Sequence, residues 1–506
     1  MKTILFFDRC DLTDLYVSIG IRLIDKMNVI HVAFSNEEKQ KLQAAGITDY
    51  IDYQKLLNRN IDTIPLNESI IQEIDHTIIS ASDGRFNLNS SMQSDRGYSI
   101  LSYNEALLLA QSHYLAWKEI FSKQKVDIMY HEICSQFMVH IAALLCKSQG
   151  GIYRSTILCT SDKEGYRYLN VDGENFRCQE IEDRFYYYKE HPDKIDKKRC
   201  QSFLDKYRKD YSVFFGSAIQ SNIPVLKIFI QAMKSWLIKL VKIKDYDRIK
   251  DNISYWLLLN NYNARKLKNL YDYWSCGVKF ITDIPEGETY YYYSFHLEPE
   301  ATVLYLGDGI YQNQVKLIQN IAASLPAGSY LYVKDHPHEY AYRDACDYER
   351  LMNVPNIRLI HQSIPGKKLI ANAKGVFSIN GTACLEALLL GKQVYCFGNS
   401  YYACQERVNV INPDDKNSII DIVNNIDINE DNFDQWVDSI FSDKINLFDM
   451  GKLPYIIDEL YKTNDKLKFM LCCMLLESTC DKLDFITNLE KYPLFVAKFE
   501  VLVNTL

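Results

Sequence analysis

Glycine and proline are scarce, 20 and 12 of 506 residues. So little of either excludes a collagen-like chain or a Pro/Gly-rich low-complexity chain. No stretch reaches about 18 uninterrupted apolar residues, so no membrane-spanning helix is expected. The first apolar run, Ile4–Phe7, is closed by Asp8-Arg9 and is too short for an export-signal core, which reads as cytoplasmic. The 14 cysteines form no C-x-x-C pair, and Cys472-Cys473 is the one adjacent couple. They read as reduced thiols, not as a disulfide framework or zinc site. Basic residues are outnumbered, 57 against 65, for a net charge of −8. That balance argues against wholesale nucleic-acid binding. Also missing are G-x-x-x-x-G-K-[ST], a G-x-G-x-x-G after the first strand, and H-E-x-x-H, so P-loop, dinucleotide and zincin chemistry are not indicated. The one D-x-D, Asp245-Tyr246-Asp247, sits in a Lys-rich helical stretch and reads as a solvated face, so no metal is expected.

What is abundant is aromatic: 37 Tyr, 23 Phe and 5 Trp. With 47% apolar and 24% charged residues the chain is globular, long enough for two large domains or about three smaller ones. Residues 1–180 alternate strand and helix. Strands are expected at Lys2–Phe7, Asn28–Ser35, Val126–Tyr130 and Ile152–Leu158. Helices are expected at Asp11–Lys26, capped by Asp11 or Thr13, at Asn36–Ala45, at Tyr103–Lys123 and from about His131-Glu132 through Cys146. Residues 51–100 show no clear pattern. Residues 181–275 read as a helical insert. In it, Ile223–Lys244 carries an apolar face with lysines around the rest, suited either to a core or to an anionic membrane surface. The βα rhythm resumes over 276–430, with strands at Thr289–Phe295, Thr302–Leu306, Tyr330–Lys334, Ile357–Ile360, Gly375–Ile379 and Gln393–Phe397. Residues 431–506 read as C-terminal helices. The fold class is therefore α/β, with two Rossmann-like parallel-sheet domains, a helical insert and a helical tail.

Three strands of the second domain deliver polar residues at their carboxyl ends, where open parallel sheets bind ligands. Tyr290–Phe295 leads into His296-Leu297-Glu298-Pro299-Glu300. Tyr330–Lys334 leads into Asp335-His336-Pro337-His338. Gly375–Ile379 leads into Asn380-Gly381-Thr382, which opens a helix carrying Glu386. A helix start offers unpaired N–H groups and a hydroxyl to a phosphate, and Gly381 permits close approach. Glu386, one turn on, suits ribose hydroxyls. His336 is directed by the proline after it and can donate to a leaving phosphate; His296 can do similar work at the sugar or leaving group.

The stretch YYYSFHLEPEATVLYLGDG, then YLYVKDHPHEY, then VFSINGTACLEALLLGKQVYCFGNSYY resembles the bacterial capsule polysaccharide synthesis family, which includes transferases that use CMP-Kdo. Where those enzymes tend to have a Gln-Pro type segment, this chain has Leu297-Glu298-Pro299-Glu300. The resemblance implies a two-domain GT-B glycosyltransferase whose second domain holds the nucleotide sugar. It implies a CMP-sugar donor, with Kdo or a related ulosonic acid, and a glycan or lipid-linked acceptor at the inner face of the cytoplasmic membrane. Under it, His336 contacts the donor phosphate, Asn380, Gly381 and Thr382 hold phosphate, and Glu386 holds the ribose. A monophosphate leaving group needs no divalent metal. The first domain is expected to supply the acceptor site and a carboxylate. Glu132 is the candidate, as general base, as nucleophile, or simply as a residue stabilised at a helix start. Arg154 and Lys334 are candidate partners for a sugar carboxylate or phosphate. A UDP-sugar or polyol-phosphate transferase, and a non-catalytic assembly protein, are the alternatives.

Overall fold

The structure is a computed structural model. It describes residues 1–209 and 262–404 except 10, 11, 26, 99, 100, 163, 164, 196, 299, 312 and 337–340. It also describes 226–234 except 232, together with 408–410, 420 and 448–449. The expected tail helices, Asp245-Tyr246-Asp247 and most of Ile223–Lys244 lie outside the described residues. The chain divides into two compact units, one built on Met1–Asp95 and Ser102–Asp196, the other on Arg96–Leu101 and Lys197–Phe433.

The first unit is a seven-stranded sheet in the order β13-β6-β5-β4-β1-β2-β3. Strands β1 (Thr3–Asp8), β2 (Asn28–Ala33), β3 (Ile51–Asp52), β4 (Ile128–Tyr130) and β5 (Ile152–Asp162) are parallel. β6 (Gly165–Asp172) returns antiparallel to β5, and β13 (Phe448–Asp449) pairs antiparallel with β6. All six residues of β1 are buried, as expected of a central strand covered on both faces. Helices form over Tyr53–Thr63, Glu68–Ala81 and Leu88–Gln93, where the sequence had shown no clear pattern. Each starts behind an Asp or Asn whose side chain accepts a first-turn N–H.

Two expectations here need correcting. The first helix runs Thr13–Leu23 behind Leu12, and Thr13 does not cap it: its hydroxyl is buried without a partner among the described residues, while Asp11 lies outside them. The helix after β4 starts only at Phe137, so Glu132 is an exposed loop residue, not one at a helix start. The intervening segment is held away from helical form because the Cys134 amide donates to the Gly173 carbonyl (2.8 Å), and the Asp95 carboxylate accepts the Phe137 amide (2.6 Å).

The second unit is a six-stranded, wholly parallel sheet in the order β12-β11-β10-β7-β8-β9. Its strands are β7 (Thr289–Ser294), β8 (Ser329–Lys334), β9 (Ile357–Ile360), β10 (Gly375–Ser378), β11 (Gln393–Cys396) and β12 (Val408–Val410). The tyrosines of β7 alternate. Tyr291 and Tyr293, with Phe295 beyond them, enter one core with Leu331, Val333, Phe377, Ile379 and Tyr395. Tyr290 and Tyr292 fall on the other face by the two-residue period of a strand. There Tyr290 stacks on Tyr332 at 3.9 Å and donates its hydroxyl to the Leu369 carbonyl (2.7 Å). A tyrosine fills such a two-sided position because its ring packs while its hydroxyl reaches the periphery.

Thr302–Leu306 is not a strand: Ala301–Leu304 is a short helix behind an extended Glu300. A short apolar run has no period that separates the two forms. The Leu304 and Tyr305 amides bond to the Glu300 and Ala301 carbonyls, closing a turn instead of a ladder.

Candidate functional site: strand ends of the second sheet

Strands β10, β7 and β8 are neighbours, so the segments after them emerge side by side. His296 is 7% exposed and lies at the centre. Its Nε2 is 2.9 Å from Ser378 Oγ and accepts the Ile379 amide at 3.2 Å. Ser378 Oγ in turn accepts the Gly381 amide at 3.2 Å. A Cβ on Gly381 would lie 2.8 Å from His296 Cε1, so only glycine lets the β10 loop close on the imidazole. The backbone of His296 is held as firmly as its ring. The Gln314 side-chain amide accepts the His296 N–H (3.0 Å) and donates to its carbonyl (3.2 Å). Burial, then the neighbouring His336 and Arg343, push the His296 imidazole down to about 3, so it is neutral.

Arg343 binds the ends of β7 and β8 together. Its Nη1 donates to Glu298 at 2.7 Å, and its Nε lies 3.3 Å from both oxygens of Asp335. Its guanidinium sits 3.8 Å over the Phe295 ring. Asp335, buried, also accepts the Tyr348 hydroxyl. This is a buried ion network with planar geometry that a lysine does not reproduce. His336 follows on Asp335, half-buried, its carbonyl accepting from Gln362 (3.4 Å).

The helix Thr382–Leu389 starts behind Gly381 with no side-chain cap, and Thr382 is exposed. An uncapped, solvent-facing helix start of this kind favours an anion. Asn380 is buried, its amide donating to the Leu306 carbonyl (3.2 Å) while its Oδ1 has no partner. Asn380 therefore fixes the loop. Tyr402 donates to the Gly381 carbonyl at 2.9 Å from the far side.

Lys334 and Glu386 face each other electrostatically. Lys334, buried at the end of β8, is pushed down to about 8 by desolvation, against the pull of Asp335 and Glu386. Glu386 is pushed up by desolvation, opposed by Lys367 and Lys334. A cation and a carboxylate, both desolvated, thus flank the start of the Thr382 helix.

The second unit brings together His296, His336, Lys334, Asn380, Gly381, Thr382 and Glu386. Glu132 and Arg154 belong to the first unit; Glu132 lies just beyond β4, and Arg154, buried within β5, is paired in register with Tyr130. Also in the first unit, Asp8 ends β1 fully buried, 2.9 Å from His31 Nδ1. Sequence reading missed Ser378, Gln314, Arg343 and Asp8. Ser378 was within reach of it, since the strand period puts it beside the end of β7. Gln314 and Arg343 lie 18 and 47 residues from His296 and carry no local pattern.

Fold and site together define an α/β protein whose second sheet presents a polar strand-end site with an uncapped helix start. The model of the family described as capsule polysaccharide biosynthesis protein matches residues 241–406, about a third of the chain and the part that contains that site. Residues 241–406 thus match the capsule polysaccharide biosynthesis family, as the resemblance in the sequence implied. No curated protein sequence matches the chain. Among solved structures, the chain is similar to Thermosulfurimonas dismutans KpsC, a beta Kdo 2,7 transferase, at 12% identity. That match covers 64% of this chain and 80% of that one, with a TM-score of 0.30. Neisseria meningitidis UDP-GlcNAc 2-epimerase bound to UDP-GlcNAc is also 12% identical, covering 91% and 100%, with a TM-score of 0.23. A glycosyltransferase from Rickettsia africae is 10% identical, covering 92% and 98%, with a TM-score of 0.27. Scores this low carry neither substrate nor mechanism across.

Proposed function

We propose that the protein transfers Kdo or a related ulosonic acid from a CMP-sugar donor to a glycan or lipid-linked acceptor of a surface polysaccharide. One observation carries this reading: the ends of β10, β7 and β8 adjoin, with His296, His336 and the open start of the Thr382 helix on the same edge. In that site the nucleotide phosphate lies against the first amides of the helix and the Thr382 hydroxyl. His336 donates to the departing phosphate oxygen, and Glu386 accepts from ribose hydroxyls. Lys334 offers a positive charge to the donor's acidic groups. Stabilising the leaving group's charge in this way is electrostatic catalysis. Glu132 acts on the acceptor hydroxyl as base, or on the anomeric carbon as nucleophile. No metal takes part in this scheme. The exposed Leu226, Phe229, Ile230 and Met233, with Lys227 and Lys234 among them, are the surface by which the protein meets the inner leaflet.

Calorimetric titration with CMP, UMP, UDP and CDP tests the donor. CMP is expected to bind best, and His336→Ala to weaken it at least tenfold, on the order of a lost charge-assisted hydrogen bond of ~1.5–3 kcal/mol. Preferential UDP or CDP binding points to the UDP-sugar or polyol-phosphate alternative. No binding of any of the four points to the assembly role.

A further inference from the structure

His296 looks like a general acid by type, but its surroundings assign it another role. Its Nε2 faces two groups. The Ile379 amide is a donor only, so Nε2 must present its lone pair to it. Ser378 Oγ already accepts the Gly381 amide, which leaves its hydroxyl proton free to point at the same Nε2. Both contacts call for an unprotonated Nε2, and a neutral imidazole then carries its proton on Nδ1. Nδ1 has no hydrogen-bond partner among the described residues, and it is not among the buried polar atoms left without one. The ring therefore turns a single N–H outward from a strand-end position.

Every element packed against His296 opposes a second proton. His336 stands on the β8 side, and Arg343 donates to the His296 carbonyl from the segment before the helix Ala345–Met352. The two carboxylates nearby are already engaged: Glu298 with Arg343 and Gln314, and Asp335 with Arg343 and Tyr348. Among the described residues no acidic group is left to stabilise an imidazolium.

We propose that His296 is a tautomer-locked, permanently neutral hydrogen-bond donor that presents Nδ1–H to the anionic group of the nucleotide, with Ser378 as the positioning residue that sets the tautomer. It stabilises charge by donation and passes no proton on. The ligand half of this proposal rests on the nucleotide reading above; the tautomer half rests on hydrogen-bond geometry alone.

The test is nitrogen-15 NMR of the full-length protein labelled at histidine, with the His296 signals assigned by their loss in His296→Gln. The expected spectrum shows a pyridine-like Nε2 and a pyrrole-like Nδ1, neither moving between pH 5.5 and 8.5. Ser378→Ala, which leaves the Ile379 amide in place, should shift both nitrogens only part of the way toward the tautomer average, and Ser378→Thr should restore them. A merely structural serine would give neither result. On addition of CMP at saturating concentration, the Nδ1 signal should move downfield while Nε2 stays in place. A His296 midpoint inside that pH range, or a protonated Nε2 in the neutral ring, overturns the proposal. CMP binding that leaves Nδ1 unmoved overturns the donor role. If CMP does not bind, the nucleotide reading falls, and the flat titration and Nε2 shift still decide the tautomer.

Discussion

At the scale of single residues, burial pushes a strand-end group of each unit toward its neutral form. His296 is held neutral among cations. Asp8, in the first unit, is pushed up to about 6 by burial, only partly offset by His31. Its second oxygen has no partner, and His31 Nε2 likewise has none. A carboxyl whose folded pKa lies above its unfolded value of 3.8 takes up a proton on folding. The stability this contributes is complete below about pH 4 and is lost as pH rises through about 6. Asp8→Asn keeps the shape and removes the titration. Relative to that variant, wild type should lose about 2 kcal/mol between pH 4 and pH 7, at about 1.4 kcal/mol per pKa unit. Urea denaturation of both proteins at the two pH values measures it; a difference that stays constant with pH would refute the assignment.

At the scale of elements, the core of the second sheet is aromatic to an unusual degree. Phe377 lies at its centre, fully buried, stacked on Tyr395 at 4.4 Å and on Phe397 at 6.2 Å. Phe377→Ala is expected to cost about 3–5 kcal/mol, the range for truncating a buried phenylalanine. A urea midpoint within error of wild type would mean that the cluster repacks. Such elements were the legible part of the sequence. Tyr330–Lys334 and Tyr103–Lys123 read directly, because a β-branched and aromatic run bounded by turns, or a long helical period, has one interpretation. Ala301–Leu304 did not, because so short a run has no period, and a loop carbonyl decided the outcome. The site was legible in outline for a related reason. Residues just past a strand, such as His296, His336 and Asn380, are placed by the strand itself. Gln314 and Arg343 reach it through tertiary packing, which no spacing encodes. Glu132 was correctly put after β4, but its helical setting was not, since Asp95 and Gly173 shape that loop from 37 and 41 residues away.

At the scale of the whole molecule, the chain couples an acidic overall balance with a local basic and apolar stretch around 223–244. Among the described residues no helix is long and apolar enough to cross a membrane. Wild type should float with vesicles containing anionic lipid, and a variant with Trp236→Ala and Lys239→Glu should stay in the heavy fraction. Equal flotation of the two proteins removes that surface from the account. The expected salt dependence is steep, since each lysine near an anionic headgroup layer contributes about 1 kcal/mol, screened within a Debye length.

The all-parallel order of the second sheet separates two kinds of evolutionary freedom. The tyrosine stacks and ring clusters lie within the ladder, while the segments that follow β7, β8, β10 and β11 all emerge along one rim. Residues there that lie outside the Glu298–Arg343–Asp335 network and the Gly381 contact can be exchanged without disturbing the ladder. Under the proposed function, donor preference is then rewritten in a few short connections over an unchanged chassis.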